Sequence, residues 1–126
     1  MNKLIFFVDD DKMMLNLVEY TLKNRQDCEI NTYQTGEECL NELNLSPDLI
    51  ILDHIFEGDS SAFSNGLDIL KEIKKKDNSV KVIILSSLND EKVKSEYLSN
   101  GAVRFIEKND YFIDALMEIL DEETAN

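Results

Sequence analysis

Cysteine, histidine and positive charge are all scarce in this chain of 126 residues. The two cysteines, Cys28 and Cys39, stand in apolar surroundings without metal-ligand spacing, so they read as small buried hydrophobes. The one histidine, His54, reads as a loop residue rather than a relay group. Thirteen basic residues face 26 acidic ones, a formal net charge of −13. That balance argues against tracking nucleic-acid phosphates and against anionic membranes, and it favours solubility. Long apolar runs are missing as well: none approaches the roughly 20 residues of a membrane span. The opening "MNKLIFFV" meets acid at once, so no signal peptide is expected. The expectation is one cytoplasmic domain.

Short apolar runs alternate with helical patterns. "KLIFFV" (3–8), "DLIILD" (48–53) and "VKVIIL" (80–85) read as strands buried on both faces, and "CEINTY" (28–33) and "VRFIE" (103–107) as two further strands. Helices are expected over 12–25, 35–43, 66–76, 89–101 and 110–123. The first carries Met14, Leu17, Val18, Thr21 and Leu22 at helical spacing, and the third turns Leu67, Leu70 and Ile73 inward. Thr35 with Glu38 three residues on suggests a capping box, and Gly101 a helix stop. The fourth helix has a thin apolar stripe of Val93, Tyr97 and Leu98. Pro47 cannot continue a helix, and residues 54–65 read as a loop. Five strands alternating with five helices build an α/β, doubly wound, five-stranded parallel sheet with helices on both faces. A barrel would need about 250 residues.

In such a sheet ligands bind at the carboxyl ends of the strands. Those ends carry Asp9, Asp10 and Asp11 after the first strand and Asp53 at the end of the third. Ser86 follows the fourth and Lys108 the fifth. Singly, each is a common loop or capping residue. Together they make one set. Carboxylates this close cannot all stay charged without a counter-ion. An all-oxygen, carboxylate-rich site suits Mg2+. A lone aspartate beside that metal is a candidate nucleophile toward phosphorus, with a lysine and a hydroxyl to hold the other phosphoryl oxygens.

In "FFVDDDK", "LIILD", "VIILSS" and "FIEK" the chain resembles the receiver domain of two-component response regulators. The likeness covers residues 1–122 and leaves 123–126 as a short acidic tail. It implies a flavodoxin-like sheet of order 2-1-3-4-5. It further implies that Asp53 is the phosphoacceptor, and that Asp10, Asp53 and the backbone carbonyl of Ile55 ligate Mg2+, with Asp9 acting through a bound water. Ser86 and Lys108 would hold the phosphoryl group, and Ser86 and Phe105 would form the switch. Asp11 has no role in the match and reads as a helix cap.

Three features depart from the family pattern. The loop after the acceptor usually runs Asp-x-x-x-Pro-x-x-x-Gly. Here position 57 is Glu, Asn65 stands where an aspartate commonly precedes the glycine, and the matching glycine is Gly66, five residues late. Asn109 replaces the proline that usually follows the lysine, often through a cis bond. A non-proline cis bond costs roughly 2.5–4 kcal/mol, so a trans bond or a strained backbone is expected. Ile55 and Leu88 are apolar where the family controls water access, which implies slow self-hydrolysis.

The implied partners are a sensor histidine kinase or histidine phosphotransfer protein, and a downstream protein or an output domain that this stretch does not contain. A homodimer through the face of the fourth helix, fifth strand and fifth helix fits the resemblance, and Tyr97 and Tyr111 lie near that face. The chain would not be an enzyme beyond its own phosphorylation and dephosphorylation. Two alternatives compete. One is an interaction module of the same fold that works without phosphorylation. The other is a haloacid-dehalogenase-like phosphatase, with Asp9 and Asp11 as its Asp-x-Asp, although Met13 stands where that family wants Thr or Val.

Overall fold

The computed structural model describes residues 3–53, 66–87 and 90–124. The strands are β1 (Lys3–Val8), β2 (Cys28–Tyr33), β3 (Leu49–Asp53), β4 (Lys81–Ser86) and β5 (Arg104–Glu107). The helices are α1 (Lys12–Leu22), α2 (Gly36–Asn41), α3 (Gly66–Lys76), α4 (Glu91–Ser99) and α5 (Phe112–Thr124). A short 3-10 turn, Leu43–Leu45, follows α2. The sheet is parallel throughout in the order β2-β1-β3-β4-β5, the doubly wound arrangement expected from the sequence.

The apolar runs are continuous because both faces of the sheet are covered. Alternate side chains point to opposite faces. Phe6, Val8, Ile50, Leu52, Val82 and Ile84 meet Cys39 of α2, Ile69, Leu70 and Ile73 of α3, and Tyr97 of α4. Ile5, Phe7, Leu49, Ile51, Ile83 and Leu85 meet Leu15, Val18 and Leu22 of α1 and Phe112, Leu116 and Leu120 of α5. Each large side chain so buried contributes about 1.5–3 kcal/mol. Both cysteines are buried and free, as expected.

Local signals set the helix ends. Asp11 caps α1, its side chain accepting from the Met13 amide at 3.0 Å. Thr35 caps α2 in the same way through the Glu38 amide at 3.1 Å. Gly36 is required there: a Cβ would stand 2.1 Å from Cδ1 of Ile69. The end of α4 is a Schellman motif, with Ala102 donating to the Tyr97 carbonyl at 3.1 Å and Gly101 to Leu98 at 3.2 Å. Gly101 takes φ +108°, a conformation that other residues rarely adopt.

The buried face of α1 differs from the expected one. It is Leu15, Val18 and Leu22, whereas Leu17 is 44% exposed. Met13, Leu17 and Tyr20 form a second apolar stripe that faces out. With two stripes on one helix, periodicity cannot say which one meets the sheet. The helix also stops at Leu22 rather than near 25, and α5 spans Phe112–Thr124 rather than 110–123.

Candidate functional site

Parallel strands deliver their last residues to one edge. Beyond Val8, β1 pairs once more, the Asp9 amide donating to the Tyr33 carbonyl at 3.0 Å. Asp9 is 1% exposed. Its Oδ1 accepts from the Asp11 amide and its Oδ2 from Nζ of Lys108, at 2.9 and 2.8 Å. Asp10 is half-buried beside it. Asp53 ends β3 and is buried, opposite Leu85 of β4. Ser86 ends β4, also buried, and its carbonyl accepts from the Lys108 amide at 2.7 Å. That bond sets Lys108 just past the end of β5.

The lysine reaches across the edge. Nζ of Lys108 stands 2.8 Å from Asp9 Oδ2 and 2.8 Å from Asp53 Oδ1. Carboxylate oxygens of Asp9, Asp10 and Asp53 lie within 4.8 Å of one another. One ammonium thus bridges two of the three clustered acids. Burial pushes the Asp53 carboxyl up to about 6; the hydrogen bond from Lys108 resists this, and the charges of Asp9 and Asp10 add to it. Burial works to lower the Lys108 pKa, but its bonds to Asp53 and Asp9 outweigh burial and hold it above the ordinary value. The clustered donors of Asp9, Asp10 and Asp53 are all carboxylate oxygens, the chemistry of a hard divalent cation such as Mg2+.

Of the residues singled out from the sequence, Asp9, Asp10, Asp53, Ser86 and Lys108 come together at this edge. Phe105, half-buried in β5, packs against the face that α4 covers, its ring centroid 5.9 Å from that of Tyr97. Ile55, Leu88, His54, Glu57 and Asn65 lie outside the described residues. The bond between Lys108 and Asn109 is trans. Asn109 starts a turn into α5, its Oδ1 accepting from the Tyr111 amide at 2.8 Å and its carbonyl from the Phe112 amide at 3.1 Å. Sequence reasoning missed two features. It assigned Lys108 to phosphoryl oxygens without its bridge to Asp9, because a side chain's reach across four strands leaves no mark in the sequence. It put Val93, Tyr97 and Leu98 together in one apolar stripe, of which Tyr97 is buried and Leu98 is 41% exposed.

The family model described as the response regulator receiver domain matches residues 5–121. The chain belongs to that family. Phosphorylation-dependent switching is what receiver domains do, and they work with histidine kinases and output domains. This receiver is 32% identical over 108 residues to a protein-glutamate methylesterase/protein-glutamine glutaminase of Treponema denticola, which covers 82% of this chain and 28% of that protein. It is 28% identical over 109 residues to the alkaline phosphatase synthesis transcriptional regulatory protein PhoP of Bacillus subtilis, covering 86% of this chain and 43% of PhoP. The receiver therefore spans less than half the length of these curated relatives. Among solved structures, the response regulator domain of Thermotoga maritima CheB is 28% identical with a TM-score of 0.80, covering 98% of this chain and 94% of that one. Among the described residues, no helix is long and apolar enough to cross a membrane.

Proposed function

We propose that Asp53 accepts a phosphoryl group from a phosphohistidine on a sensor histidine kinase or histidine phosphotransfer protein, in a Mg2+-dependent reaction, and that this switches a protein-interaction surface. The observation that carries the reading is the bridge of Lys108 between Asp53 and Asp9, beside Asp10. It sets a buried nucleophile against a fixed cation at the carboxyl ends of the strands.

Asp10, Asp53 and the carbonyl of Ile55 would hold the metal, with Asp9 acting through water. A bound Mg2+ supplies positive charge to the carboxylates and to the phosphoryl oxygens. Asp53 attacks phosphorus with a carboxylate oxygen as the P–N bond to imidazole breaks, and the imidazole leaves with the electron pair of that bond. Lys108 exchanges one carboxylate partner for a phosphoryl oxygen. Ser86 donates its hydroxyl to another, and Phe105 turns inward as Ser86 moves. The local change of charge biases a two-state equilibrium. The chain then catalyses only its own phosphorylation and dephosphorylation, from a cytoplasmic location. Its output is a downstream protein, an output domain of a longer polypeptide or a second copy of the receiver. The phosphatase alternative loses its second acid, since Asp11 is exposed and engaged as the cap of α1.

Acetyl phosphate with Mg2+, followed by intact-protein mass, tests the reading. The expected result is one phosphoryl adduct, absent in Asp53→Asn and absent under chelation. Turnover of acetyl phosphate without an adduct, or no change in mass, overturns it.

A further inference from the structure

The sheet has two outer strands, β2 and β5. β5 has four residues with Arg104 and Glu107 at its ends, a short and charged edge of the kind that resists pairing. β2 is longer and plainer. Its six residues all pair with β1, and Glu29 is its only charge.

The ladder with β1 fixes which groups β2 leaves unused. The carbonyls of Asp27 and Tyr33 accept from the amides of Lys3 and Asp9, so the odd positions turn toward β1. In a parallel pair every second residue bonds the neighbouring strand. The N–H and C=O groups of Cys28, Ile30 and Thr32 therefore point outward. Among the described residues, none of these groups has a hydrogen-bond partner. Such a row is a template for another strand.

Beside this edge, between α1 and β2, runs a groove of about 520 Å3. Glu19, Leu22 and Lys23 line it on one side and residues 28–31 on the other. Its charges are spread along the strand. Glu19 accepts from the Thr32 hydroxyl at 2.6 Å. The helix runs against β2 and rises about 1.5 Å per residue, so Lys23 lies about 6 Å further along, toward Cys28. An acid stands at one end of the edge and a lysine at the other.

We propose that the free edge of β2 pairs with β2 of a second copy of this chain, antiparallel about a two-fold axis at Ile30. Ile30 then faces Ile30, Cys28 faces Thr32, and each pair exchanges both of its outward bonds. Glu29 faces Asn31 of the other copy rather than a second Glu29. The same axis brings Lys23 of each copy to Glu19 of the other. These matched charges select a second copy over an unrelated strand. The surface is separate from that of α4, β5 and α5. Asp53 stands two strands in from β2, so both copies keep it clear.

Sedimentation equilibrium between about 10 μM and about 1 mM suits a contact this small, in about 0.15 M salt to screen the net charge of −13 on each copy. A monomer–dimer equilibrium is expected. In the dimer the amides of Cys28, Ile30 and Thr32 should exchange about tenfold more slowly, and those of Glu29 and Asn31, already bonded to β1, should change little. Ile30→Pro removes an outward N–H and none that bonds β1, and it should weaken the dimer at least about tenfold. Lys23→Glu lies off the strand, so it serves if Ile30→Pro does not fold. It should weaken the dimer about fivefold, and adding Glu19→Lys should restore it. A chain that stays monomeric at about 1 mM overturns the proposal and leaves the edge to an extended segment of another protein. A dimer indifferent to both variants overturns it as well, because another surface then joins the copies.

Discussion

At the amino edge of the sheet, Lys81 at the start of β4 pairs with Glu123 of α5 at 2.8 Å. Arg104 at the start of β5 reaches Glu122 and Glu123, and Arg25 after α1 joins Asp27 and Asp121 at 2.6 and 2.9 Å. Most of these groups are in contact with water, and cations and anions come in similar number. At the carboxyl edge, the buried Asp9 and Asp53 share the ammonium of Lys108, with the Asp10 carboxylate clustered beside them. The chain is strongly acidic overall, so composition does not explain the difference. Among the described residues, one edge pairs its charges one against another, whereas the other gathers three carboxylates about one bridging lysine, an imbalance that a bound cation would relieve. Charge left unbalanced under burial costs stability and is tolerated where a ligand completes it.

The sharpest way to break this comparison lies within the triple aspartate. Asp10→Ala should abolish Mg2+-dependent phosphorylation, whereas Asp11→Ala should leave it nearly intact and cost about 0.5–2 kcal/mol of stability through the lost cap. Intact mass and denaturant melts read both, and equal behaviour would mean that the register assigned to this stretch is wrong. Next in size is the cost of the imbalance itself. The push on Asp53 from 3.8 up to about 6 sets a ceiling of about 3 kcal/mol on what neutralisation can return. Asp53→Asn also gives up an ion pair with Lys108, so the chelated protein should gain about 1–2 kcal/mol in urea melts. A destabilised Asp53→Asn variant would mean that Lys108 already balances the edge. Mg2+ should stabilise the wild-type chain by about 2.7 kcal/mol at 100 times its dissociation constant, and Asp53→Asn markedly less.

At the amino edge the effects should be smaller. Lys81→Ala should cost no more than about 1 kcal/mol, and less in high salt. The Glu123 carboxyl is held below its ordinary value of 4.5, first by the hydrogen bond from Lys81. Its folded pKa is the lower one, so its contribution is complete above the unfolded value and fades as pH falls through the folded value. Stability of wild type minus Lys81→Ala should therefore shrink on acidification from pH 5. A difference that stays flat would show that the pair contributes nothing measurable.

The carboxyl edge was largely readable before any coordinates because strands buried on both faces end abruptly. Polarity returns in one step at Asp9, Asp53 and Ser86, and parallel pairing brings those steps to one line. The α1 face was not readable: Leu15 and Leu17 are equally apolar, and only packing on the sheet separates them. Nor was the double reach of Lys108, which depends on the height of β5 relative to β1 and β3. The stripe of α4 was readable as Val93, Tyr97 and Leu98, but not that Tyr97 alone of the three would be wholly buried.

Asp9 and Lys108 lie 99 residues apart in the chain, yet their side chains touch. Synthesis runs from the amino end, and domains tend to form as they emerge. A growing polypeptide therefore acquires its acids long before the cation that steadies them. The four strands that emerge first should form a loose sheet, and a nascent chain without β5 should not yet be able to receive a signal.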